Sequence, residues 1–131
     1  MSENIRVRSI VGQFLEHSRI FYFENGGNSE IYCGSADWMP RNLERRVEIL
    51  FPIEEEELKK KAFHILEGEL KDTMKASIML TDGTYEKIDR RGKESYSSQD
   101  AFVLEAKEEA KKNKEEMKKR VFVPAQHVEE D

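Results

Sequence analysis

Arg19-Ile-Phe-Tyr-Phe-Glu-Asn-Gly-Gly-Asn-Ser-Glu-Ile-Tyr-Cys-Gly34 is the stretch that decides the fold. Arg19–Phe23 and Glu30–Gly34 are rich in aromatic and β-branched residues, which suit a pleated, half-buried surface. Between them Asn25-Gly26-Gly27-Asn28 supplies residues that tolerate positive φ. The pattern predicts an antiparallel hairpin.

Residues 5–15 are apolar without a clean period and read as either a strand or a short helix. Arg46–Phe51 alternates Val47, Ile49 and Phe51 with Arg46 and Glu48, which predicts a third strand that Pro52 ends. Acidic residues at 54–57 followed by Lys59–Lys61 suit the dipole of a helix start. Leu58, Ala62, Ile65, Leu66, Leu70 and Met74 then recur at helical spacing and predict one buried stripe. Ile78–Leu80, Asp82-Gly83 and Tyr85–Ile88 predict a second, smaller hairpin, and Arg90–Lys93 a loop. Ser97 or Ser98 is placed to cap a final helix carrying Phe102, Val103 and Ala106. No internal repeat is present. The reading is an α+β domain, a mainly antiparallel sheet packed with two helices.

The 131 residues suffice for one domain. Apolar and charged residues each make up 37% of the chain, so part of it must be fully solvated. That part is residues 107–120, where eleven of fourteen positions are Lys, Arg or Glu. We therefore divide the chain into a domain over 1–106 and, over 107–131, a charged helix extension with a flexible tail. The net charge of −5 argues against nucleic-acid or anionic-membrane attraction. No apolar run is long enough for a transmembrane segment. A single Cys33 permits no internal disulfide, which fits a reduced, cytoplasmic protein. Six arginines and no lysine lie in the first fifty residues, whereas all thirteen lysines follow residue 58. Arginine forks bind oxyanions in pairs, although codon bias would leave the same pattern.

A turn centred between Gly26 and Gly27 puts His17 opposite Ser35 or its neighbours, with Arg19 on the same face as His17. Glu48 on the next strand is placed to approach from behind. Histidine, arginine, hydroxyl and carboxylate together make a workable phosphoryl site. The same residues also suit a structural role: Arg19 as a surface arginine, Ser35 as a strand-end hydrogen bonder, Arg46 as a partner of Glu48 or Glu44. Trp38 and Met39 read as core, His64 as a helix flank or core edge, and Cys33 as a buried thiol facing away from His17.

His17-Ser-Arg19 followed by Glu24, then Gly34-Ser-Ala-Asp37, resembles the phospholipase D half-site, His-x-Lys-x4-Asp followed by Gly-Ser-x-Asn. Arg19, Glu24 and Asp37 depart from that pattern, and the spacing between its two parts is longer. A closer resemblance is to the C-terminal, phospholipase D-like domain of bacterial polyphosphate kinase. It rests on Ile5-Arg-Val-Arg-Ser-Ile-Val-Gly12, Phe14-Leu-Glu-His-Ser-Arg-Ile20, Glu24-Asn-Gly-Gly27 and Gly34-Ser-Ala-Asp-Trp-Met-Pro-Arg-Asn-Leu-Glu-Arg-Arg-Val-Glu48.

The resemblance implies a phospholipase D-like half-domain from an enzyme that reversibly transfers the ATP γ-phosphate to inorganic polyphosphate, with Mg2+, through a phosphohistidine. In that family the phosphohistidine, the metal ligands and most nucleotide contacts lie in an earlier domain. The chain is therefore expected to be a fragment, inactive by itself and a homo-oligomer when intact. The resemblance assigns His17 and Glu48 to catalysis, and His17, Arg19, Ser35, Arg41 and Arg45 to ATP and phosphate binding. Its expected partners are ATP, inorganic polyphosphate and the enzyme's remaining domains, with no nucleic acid. Two other classes stay open: a phosphodiesterase assembled from two half-sites, and a non-catalytic interaction domain.

Overall fold

The computed structural model describes residues 3–119. Two compact units divide the chain, Met1–Gln99 and Asp100–Asp131. In the first unit lie β1 (Arg8–Ile10), β2 (Ile20–Phe23), β3 (Glu30–Gly34), α1 (Pro40–Arg45), β4 (Leu50–Pro52), α2 (Glu56–Lys71), β5 (Ala76–Met79) and β6 (Tyr85–Lys87). Helix α3 (Ser98–Lys119) begins at the end of this unit and supplies the described part of the second. The tail expected beyond the charged helix lies outside the described residues from 120 onward.

The hairpin forms in the predicted register, with Ile20 opposite Cys33 and Phe23 opposite Glu30. Its turn is a single 3-10 turn over Asn25–Gly27, in which Asn25, Gly26 and Gly27 all take positive φ. Glycine meets that demand without steric cost. Strand β4 pairs with β3 and completes a three-stranded antiparallel sheet, β2-β3-β4. A second antiparallel sheet, β1-β5-β6, joins the smaller hairpin to β1, so within the apolar stretch 5–15 the strand forms. Among the described residues the fold is α+β and antiparallel as predicted, built from two small sheets and three α-helices.

One predicted element is wrong. The third strand does not begin at Arg46: Pro40–Arg45 is helical, Arg46–Ile49 is irregular, and pairing starts only at Leu50. Pro40 pre-sets the first helical φ, which starts α1 where alternation alone suggested none. Pro52 pairs with Tyr32 at the edge of the sheet, where a missing N–H costs no ladder bond.

Among the described residues only Ile31, Ala62 and Ala76 are buried apolar side chains. Helix α2 lies on the face of the first sheet that carries Ile31 and Tyr22, with Tyr22 against Phe63 at 4.9 Å between ring centroids. The stripe of α2 is only partly covered, since Leu58 and Leu70 are exposed and Met74 falls past the helix. On the opposite face Phe21 stacks on Trp38, with centroids 5.7 Å apart, and Phe23 meets the edge of Tyr32. Trp38 and Met39, read as core, are exposed, and Val47 is 100% exposed.

Asp72 ties the end of α2 to the start of β5 and to Ser98, all within the first unit. Its Oδ1 accepts the N–H groups of Met74, Lys75 and Ala76 at 3.0, 2.7 and 3.1 Å. Its Oδ2 accepts the N–H and hydroxyl of Ser98, the first residue of α3. Arg8 closes the other side, donating to the carbonyls of Leu70 and Asp72 at the end of α2. One of the six early arginines thus caps a helix.

Candidate functional site

The residues before β2 and after β3 meet at the open end of the hairpin. The ladder continues one step past the strands, with the Gly34 N–H donating to the Arg19 carbonyl at 3.0 Å. Alternation from Phe21 puts Arg19 on the face away from α2, and puts Cys33, opposite Ile20, on the α2 side. That is the predicted relation of Cys33 to this face, and its thiol is half-buried.

Arg19 is the hub. Its Nε and one terminal nitrogen donate to the same Asp37 oxygen at 2.9 and 2.7 Å, and its other terminal nitrogen donates to the His17 carbonyl at 2.5 Å. A planar fork directs three bonds onto these two acceptors at fixed angles, which the point charge of a freely rotating ammonium does not. Asp37, which stands where the half-site pattern has Asn, holds the arginine as an ion pair. Ser35 is engaged as well: its hydroxyl donates to Glu48 at 2.5 Å and accepts the Ile49 N–H at 3.1 Å. The Ser35 N–H in turn donates to the Ile49 carbonyl.

The predicted residues thus fall into pairs. Arg19 is joined to His17 through the histidine's own carbonyl, and Ser35 is joined to Glu48. Among the described residues no hydrogen bond links Glu48 to His17, and the His17 side chain is exposed. Arg41 and Arg45 lie one turn apart on α1, share its face and are exposed. Glu24, the counterpart of the half-site's Asp, accepts the Tyr22 hydroxyl instead. That bond, with burial and the charge of Glu24, raises the Tyr22 pKa.

Sequence reasoning did not single out the groups behind the loop that carries His17. Gln99, at the start of α3, is buried. It accepts the Phe14 N–H at 3.0 Å and donates to the Phe14 carbonyl and to Glu16, both at 2.8 Å. Glu69 on α2 shares a further hydrogen bond with Glu16. Burial first, then this bond and the repulsion between the two carboxylates, pushes Glu69 up to about 7. Both carboxyls face a cavity of about 580 Å³, also lined by Arg6, Arg8, Phe14, Phe63 and Gln99. The only sequence trace of this packing is Gly12, where a Cβ would come within 2.2 Å of the Gln99 amide.

Magnesium is the metal that the resemblance implies. Among the described residues no three carboxylate, imidazole or thiol groups converge to hold a metal ion. No helix among them is long and apolar enough to cross a membrane.

The family model described as polyphosphate kinase C-terminal domain 2 matches residues 1–99. A polyphosphate kinase of Lactiplantibacillus plantarum is 49% identical over 111 residues, 85% of this chain and 16% of that protein. One from Synechocystis sp. is 52% identical over 109 residues, 81% of this chain and 15% of that protein. The crystal structure of polyphosphate kinase from Porphyromonas gingivalis superposes with a TM-score of 0.74 at 37% identity. It is matched over 82% of this chain and 17% of its own. The chain spans about 16% of the length of the relatives it matches.

Proposed function

Because the chain belongs to the polyphosphate kinase family, through that family's C-terminal domain, we propose that it forms one wall of a phosphate-transfer site in a longer enzyme. The reaction is reversible transfer of the γ-phosphate of ATP to the end of an inorganic polyphosphate chain. A histidine outside this chain attacks the γ-phosphorus, forming a P–N bond as the bond to the ADP oxygen breaks. The terminal oxygen of polyphosphate then attacks the same phosphorus and releases the histidine. ATP brings Mg2+ with its phosphates, and the metal's protein ligands lie outside the residues described here.

The observation that carries this reading is the convergence of His17, Arg19 and Asp37 at one end of the hairpin, beside Ser35 and Glu48. In the proposed site the His17 imidazole donates a hydrogen bond to the transferring phosphate or to the leaving oxygen. Arg19 meets the equatorial oxygens with the N–H groups not committed to Asp37 and His17. Arg41 and Arg45 offset the charge of the incoming chain, while Glu48 and Ser35 hold the start of β4 against β3. The phospholipase D-like character belongs to the same proposal, as do homo-oligomerisation, a cytoplasmic setting and the separation of residues 107–131 as a solvated extension. The exposed Phe23, Trp38, Val47 and Ile49 fit a chain that packs against the rest of that enzyme.

The test has two arms. Titrating this chain with tripolyphosphate while following the His17 ring by NMR should give a saturable shift that Arg19→Ala abolishes. In the full-length enzyme His17→Ala should lower turnover by about 100-fold to 1000-fold. Near-normal turnover of that variant removes His17 from the mechanism.

A further inference from the structure

The segment bearing His17 has no regular structure between β1 and β2, yet it is held on both sides of the histidine. After it, Arg19 grips the His17 carbonyl while Asp37 grips Arg19. Before it, the Gln99 amide reads the Phe14 backbone in both directions, as a neighbouring strand would, and adds a bond to Glu16. Glu69 takes Glu16 from α2. Gln99 is itself only 8% exposed, and Gly12 packs flush against its amide, with no room for a Cβ.

We propose that Gln99 is a positioning residue for His17. From the start of α3 it fixes the Phe14 backbone and the Glu16 side chain, so that the next residue presents its imidazole beside Arg19 in one orientation. A side chain does this better than a strand here because the segment must leave the sheet to reach the site. Once outside the ladder, its N–H and C=O groups need another buried partner. A carboxamide, carried by glutamine and asparagine alone, is the side-chain group that offers both a donor and an acceptor in the spacing of a peptide bond. Glu16 and Glu69 complete the anchor. The functional half of this inference rests on the reading that His17 meets phosphate.

Gln99→Glu separates the roles, because a carboxylate keeps the bond from the Phe14 N–H but cannot donate to the Phe14 carbonyl and repels Glu16. In the 131-residue chain, amide hydrogen exchange at residues 13–19 should rise about tenfold or more, with exchange in β2 and β3 unchanged. The His17 ring signals should move, and tripolyphosphate should bind about tenfold more weakly. Glu16→Ala, which leaves the backbone bonds to Phe14 in place, should shift the same readouts less. It serves as the reporter if the first variant does not fold.

Unchanged exchange at residues 13–19 together with unmoved His17 signals overturns the positioning role. So does a uniform rise in exchange across both sheets, which would make Gln99 a general stabiliser. A wild-type chain that ignores tripolyphosphate overturns the phosphate reading instead, and the local exchange and ring signals then decide the anchoring alone.

Discussion

Asp72 and Ser98, 26 residues apart in sequence, are both fully buried, and one carboxylate oxygen accepts both the Ser98 backbone N–H at 2.8 Å and its hydroxyl at 3.0 Å. The other oxygen accepts three consecutive N–H groups at the start of β5. Burial works to raise the Asp72 pKa, but the bonds from Ser98, Lys75 and Ala76 outweigh it and hold the carboxyl below its ordinary range.

Asp72→Ala should therefore be the most damaging substitution in the first unit, because it leaves several buried N–H groups without an acceptor. We expect a loss of about 2–4 kcal/mol in urea unfolding. The native contribution is present above the ordinary Asp value of 3.8 and is lost only as pH falls through the depressed folded value. A loss below about 0.5 kcal/mol would show that water replaces the carboxylate.

Glu69 gives the opposite pH dependence. Its folded value of about 7 lies above the ordinary 4.5, so the folded chain keeps a proton that the unfolded chain releases. The stability it contributes is complete below 4.5 and disappears as pH rises to about 7. Thermal melts across this window should show a falling midpoint in the wild type and a flatter profile in Glu69→Gln. Equal slopes would mean that the Glu16 and Glu69 carboxyls do not share a proton.

The ion pair at the site predicts a gain rather than a loss. Asp37→Asn keeps an acceptor for Arg19 but removes the negative charge that competes with an incoming phosphate. Tripolyphosphate should bind this variant several-fold more tightly, measured by titration calorimetry, and Arg19→Lys several-fold more weakly. Weaker binding by Asp37→Asn would make Asp37 an organiser of Arg19 first and a competitor second.

Ser35→Ala removes both the donor to Glu48 and the acceptor for the Ile49 N–H. The site is exposed, so water compensates and a loss of only about 1 kcal/mol is expected in chemical denaturation. The freed Glu48 should also alter the His17 ring signals. Still signals would separate Glu48 from His17 altogether.

The aromatic face predicts self-association. Phe21, Trp38, Leu43, Ile49 and Leu50 line an apolar hollow of about 260 Å³ that the described residues leave open. At high concentration the chain should sediment faster than a monomer, and Trp38→Ser should reduce that effect while changing unfolding little. Monomer behaviour at every concentration would show that this face tolerates water.

Several features were legible in the sequence because they rest on near neighbours. The hairpin register follows from an aromatic strand, a Gly-Gly turn and a second strand, all within sixteen residues. Helix α2 follows from charge order and three-to-four spacing. The meeting of His17, Arg19 and Ser35 follows from that register. The strand expected from Arg46 failed because Val47 and Ile49 alternate for an irregular segment as they would for a strand, and Pro40 starts a helix just upstream.

The sequence by itself determined the α+β class, the principal hairpin and the family, since each is written in short-range pattern or in the unbroken block Gly34–Glu48. Only the tertiary structure decided which partner each polar group takes. Asp37 holds Arg19; Ser35 and not His17 holds Glu48; Arg8 caps α2; and Gln99, 85 residues from Phe14, bonds the backbone before His17. The physical reason is that buried polar groups must find partners wherever the packed chain brings a donor and acceptor together, and no spacing in one dimension records those meetings.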